Sequence, residues 1–94
     1  MKLTEKELAV MKAIDASEYG DYLDDEIWTF SLEYNVPKGG PKGKEISGVC
    51  SSLKKKGLVR LSNTDDRDTI YMTDEGIKAY TSAVGGKTNK PSKV

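Results

Sequence analysis

The fold of this chain is decided by Lys54 to Gly76, KKKGLVRLSNTDDRDTIYMTDEG. Three lysines followed by Gly57 read as a helix end. Cations suit the negative pole of the helix, and glycine takes the left-handed position just past it. Leu58 to Ser62 and Thr69 to Met72 alternate, or nearly so, between apolar and polar residues. The polar tip Asn63 to Asp68 joins them as an antiparallel hairpin. Thr73 is a helix N-cap, and the helix behind it carries Ile77, Tyr80 and Val84 before Gly85-Gly86 end it.

Upstream, Ile46, Val49, Cys50 and Leu53 recur at the spacing of one helical face. This third helix is expected from Pro41 or Lys42 to Lys56. The loop before it is punctuated by Pro37, Gly39, Gly40, Pro41 and Gly43, and it carries Lys38, Lys42 and Lys44. A second helix is expected with Asp24 as N-cap and Asp25 and Glu26 in its first turn. Ile27, Phe30 and Tyr34 would share one face of it, and Trp28 and Leu32 another. The first helix opens with the capping box Thr4-Glu5-Lys6-Glu7, with Leu3 as staple. Leu8, Met11 and Ile14 form its apolar face, and it should end between Ser17 and Gly20. Residues 1–86 form one domain, and 87–94 read as a flexible polar tail.

The class is therefore α+β, mainly helical with a small hairpin, in the order helix, helix, helix, strand, strand, helix. That is the order of a winged helix-turn-helix, with the hairpin as the wing.

A chain of 94 residues holds one domain. It has no histidine and one cysteine, Cys50, so a zinc site and an internal disulfide are not expected. No cofactor is implied. The start lacks the apolar core of a signal peptide, and no run is long enough to span a membrane. A cytoplasmic location is the expectation. The formal net charge is zero, but the charges are segregated. Residues 1–35 carry nine carboxylates against three lysines, whereas residues 36–60 carry seven basic groups against Glu45 alone. A block this one-sided favours an anionic partner over an indifferent solvated surface.

From Glu45 onward the chain resembles the MarR-type winged-helix regulators. The matching pieces are SLKKKGLVR at the end of the third helix, DDRD at the wing tip and IYMTDEG at the second wing strand. Leu3-Thr4 opening the first helix also fits. The resemblance implies a transcriptional regulator that binds double-stranded DNA. Such proteins usually dimerise through long helices at both ends, but here the last helix is short. A homodimer or another protein therefore both stay open as further partners.

Opposite the apolar face, the third helix presents Lys44, Ser47, Gly48, Ser51 and Lys55. Small residues in the middle let a helix approach a major groove, and lysines at the ends reach phosphates. The stripe has no Arg, Asn or Gln, so contacts to the DNA backbone should dominate. The alternative is an ordinary solvated face. Lys38 and Lys42 extend the basic surface. The resemblance gives Arg67 the role of a wing arginine in a minor groove. Three neighbouring aspartates offer it intramolecular pairs instead.

Other constellations are weaker. Asp24, Asp25 and Glu26 suit a helix start better than a paired-carboxylate site. Gly39-Gly40 has no Walker pattern around it. Cys50 belongs to the core face. With no nucleophile–base pairing in view, the chain is not read as an enzyme. Trp28 and Leu32 are either core or a protein interface. The rival function is a winged-helix protein-interaction module.

Overall fold

The computed structural model describes residues 3–64 and 67–93. Its elements are α1 (Glu5–Ala16), β1 (Ile27–Trp28), a 3-10 turn (Thr29–Ser31), α2 (Leu32–Asn35), α3 (Lys44–Lys55), β2 (Val59–Thr64), β3 (Arg67–Met72) and α4 (Asp74–Ala83). The strands form one antiparallel sheet in the order β1-β3-β2. The fold is thus a small α+β arrangement, with four α-helices and three strands among the described residues.

The capping box at Thr4 is complete. Thr4 Oγ1 accepts from the Glu7 N–H at 3.1 Å, and Glu7 Oε1 accepts from the Thr4 N–H at 2.9 Å. The stop after α3 is a Schellman motif around Gly57, whose φ is +75°. The Leu58 N–H donates to the Leu53 carbonyl at 3.0 Å and the Gly57 N–H to that of Lys54 at 2.9 Å. This turn aims β2 away from α3. Val59 then pairs with Met72 and Thr64 with Arg67, so the hairpin is longer than the alternation indicated. Asp65 and Asp66 at its tip lie outside the described residues.

Helix α4 returns against the same turn. The Thr73 N–H donates to the Leu58 carbonyl, and Thr73 Oγ1 donates to that of Gly57 at 2.6 Å. Thr73 Oγ1 also caps α4 by accepting from the Gly76 N–H. Gly76 is required by this approach, since a Cβ there would lie 1.8 Å from the Leu58 carbonyl oxygen. The core fills the space between α1, α3, α4 and the sheet, with Met11, Ile14, Leu53 and Ile70 fully buried.

One expectation is corrected. The second helix does not start at Asp24. Asp25 turns back instead, and its Oδ2 accepts from the N–H groups of Asp21 and Tyr22. Ile27 and Trp28 then pair with Ile70 and Thr69 as an outer strand, covering one edge of β3. Only Leu32–Asn35 is α-helical here. Ile27 and Leu32 point inward, whereas Phe30 and Tyr34 are 57% and 80% exposed.

Residues 89–93 bond back to the body of the domain. Asp15, buried in the last turn of α1, accepts from the N–H groups of Asn89 and Lys90 and from the Tyr80 hydroxyl. A carboxylate at a helix C-terminus opposes the macrodipole, and α1 has no basic residue of its own in that turn. Lys90 supplies the cation. Its Nζ donates to the carbonyls of Ile14 at 3.1 Å and Tyr19 at 2.5 Å. Further along, Lys93 pairs with Asp25, and the Leu23 N–H donates to the Pro91 carbonyl.

Candidate functional site

Helix α3 (Lys44–Lys55) has three sides in different environments and borders a groove. Its inner side, Ile46, Val49, Cys50 and Leu53, is buried. Burial pushes the Cys50 thiol up to about 11, so it is a poor nucleophile at neutral pH. A second side is fastened to α1. Lys6 pairs with Glu45 at 2.6 Å, and both groups are well exposed. Below them Glu7 is almost completely buried. It accepts from Ser52 Oγ at 2.7 Å and from Lys56 Nζ at 2.6 Å. Burial alone raises a carboxyl, but here the hydrogen bonds from Lys56, Ser52 and the Thr4 N–H outweigh it. Together they hold Glu7 down at about 2.

The third side is the outward stripe. Lys44, Ser47, Gly48, Ser51 and Lys55 are all exposed, and a Cβ at Gly48 would meet nothing. The backbone is accessible there to anything that lies along the helix. Lys42 is exposed in the approach to α3, two residues before Lys44. Lys38 is exposed in a β-turn closed by the Gly40 N–H to the Pro37 carbonyl, with Gly39 at φ +89°. Arg67 is the first described residue after the tip, opening β3 directly opposite Thr64. Its side chain lies outside the described residues.

One edge of the outward stripe borders a groove of about 530 Å³. Ser47, Ser51 and Lys54 of α3 form one wall of it. Phe30 and Glu33 stand on the 3-10 turn and α2, while Leu61, Ser62, Asp68 and Thr69 come from the hairpin. Thr29 Oγ1 donates to the Asp68 carbonyl at 3.2 Å, tying the 3-10 turn to the hairpin.

Leu32 is fully buried in the core and cannot form a surface patch. Trp28 is half-buried on β1 and stacks on Phe30, with ring centroids 5.9 Å apart. Lys44, Ser47, Gly48, Ser51 and Lys55 are thus one exposed stripe of α3. Lys54 borders it, since Ser47, Ser51 and Lys54 stand at i, i+4, i+7 and so share a face. Phe30 reaches the groove because residues 27–31 form a strand and a 3-10 turn, not the helix face expected to hold Ile27, Phe30 and Tyr34 together.

No protein-family model and no curated protein matches this sequence. Among the described residues, no helix is long and apolar enough to cross a membrane.

Proposed function

We propose that the chain is a winged-helix protein that binds duplex DNA, with α3 as the helix entering the major groove and the β2–β3 hairpin as the wing. The observation that carries this reading is the division of labour on α3. Its acidic residue, Glu45, is paired with Lys6 on the α1 side. The outward stripe is left with two lysines, two serines and a glycine, all exposed. Ammonium groups near each end can meet phosphates, and the small residues between them allow close approach. Lys38, Lys42 and Arg67 extend the contact along the backbone in this reading. Because the stripe lacks bidentate donors, affinity for phosphate exceeds discrimination among bases. A regulatory role in transcription follows from the same reading.

The alternative is a winged-helix protein-interaction module. It is favoured by the exposed rings of Phe30 and Tyr34 and by Glu33 between them in sequence. Titration of a labelled random-sequence duplex at low salt separates the two. The DNA reading expects binding by the intact protein and a marked loss for the Lys44→Ala/Lys55→Ala double variant.

A further inference from the structure

We propose that the groove between α3 and the hairpin holds an unpaired base of single-stranded DNA, stacked on Phe30. This rests on the reading of α3 as a DNA-facing helix and adds a second, strand-specific element to it.

Phe30 is 57% exposed, yet it is not a loose surface ring. Trp28 stacks on it at 5.9 Å with an interplanar angle of 26°, and Tyr19 meets it at 76°. Two aromatic neighbours thus hold the ring while it also lines the groove. A fixed, accessible aromatic face is what nucleobase stacking uses. Paired bases inside a duplex offer edges to a protein rather than faces, so the matching occupant is an unpaired base.

The charges in the groove sharpen the choice. Glu33 and Asp68 line it, and carboxylates there repel a phosphate backbone. They are good acceptors for the exocyclic amino groups of cytosine or adenine. Ser47 and Ser51 add hydroxyls that donate or accept. Lys54 is the cation on the α3 wall, suited to the phosphate flanking the base. The groove of about 530 Å³ matches a site for a small ring system and its sugar.

The test uses the full chain with oligo(dC), oligo(dA) and oligo(dT) of equal length, followed by fluorescence anisotropy. Oligo(dC) and oligo(dA) should bind more tightly than oligo(dT), because thymine has no exocyclic amino group. Binding should change the emission of Trp28, the one tryptophan in the chain. Phe30→Leu should weaken oligo(dC) binding about five- to hundredfold while sparing duplex affinity. Glu33→Ala, an exposed substitution that leaves the core untouched, should narrow the preference for oligo(dC) over oligo(dT). The proposal is overturned if Phe30→Leu leaves oligo(dC) affinity unchanged, if oligo(dT) binds as well as oligo(dC), or if dCMP competes as strongly as the strand. Duplex binding that fails while Phe30-dependent strand binding persists would sink the duplex reading and leave this one standing.

Discussion

Lys56 Nζ lies 2.6 Å from Glu7 Oε1, joining the C-terminal end of α3 to the first turn of α1. The same carboxylate completes the capping box of α1 and receives Ser52 from α3. One side chain therefore caps the first helix and ties it to the C-terminal half of the third, on the flank beside the core-packed side of α3.

That arrangement makes stability sensitive to acid. The Glu7 carboxyl lies at about 2, against an ordinary 4.5. A depressed carboxyl contributes its full stabilisation above the ordinary value and loses it as pH falls from there through about 2. The contribution is up to about 3 kcal/mol at neutral pH. Urea titrations from pH 7 to 2 should show this decline, and Glu7→Gln should flatten it while lowering stability at pH 7. An unchanged acid limb in Glu7→Gln would place the sensitivity elsewhere.

The docked C-terminal segment should be structural. Asp15→Ala removes the acceptor for the N–H groups of Asn89 and Lys90 and for the Tyr80 hydroxyl. It also removes the strongest of the three carboxylate attractions on the buried Lys90 ammonium, leaving Asp25 and Asp21. The expected loss is about 3–5 kcal/mol, read from denaturant midpoints. Amide exchange at Leu23, whose N–H donates to the Pro91 carbonyl, should accelerate in the same variant.

Gly76→Ala should be costly even though alanine is the better helix former. Its Cβ would sit 1.8 Å from the Leu58 carbonyl oxygen, which is backbone and cannot rotate away. Displacing α4 from the Gly57 turn should cost about 1–3 kcal/mol. A thermal melt of the variant at or above the wild-type midpoint would contradict the close approach.

Cys50 reports on the orientation of α3. It is buried and its thiol is raised to about 11. Under native conditions it should react with a thiol reagent far more slowly than after denaturation. Rapid native labelling would mean that the Ile46–Leu53 side of α3 faces solvent.

Helix ends and the hairpin were legible because each carries local chemistry. Thr4 with Glu7, Gly57 after three lysines, and Thr73 before Gly76 act within a few residues of themselves. The segment Asp24 to Tyr34 was not, because its conformation is set from outside. Ile27 and Trp28 become a strand only when β3 offers an edge, and nothing within the segment encodes that partner. The docking of residues 89–93 was hidden for the same reason, since Asp15 and Lys90 are 75 residues apart. Of the site, the stripe followed from helical periodicity alone. Its groove did not, since Phe30 and Asp68 reach it from elements whose placement is tertiary.

The central claim is tested most directly by the salt dependence of duplex binding. Each lysine seated on a phosphate releases counterions, so log affinity should fall linearly with log salt, by about 0.9 per phosphate neutralised. Lys55→Ala should make that slope shallower by about one and weaken all sequences alike, whereas Ser51→Ala should shift preference between sequences. Arg67→Ala should weaken binding most beside A·T tracts. Duplex binding that is undetectable at low salt, or a slope unchanged in the Lys44→Ala/Lys55→Ala variant, would contradict the assignment of α3 as a DNA-binding helix.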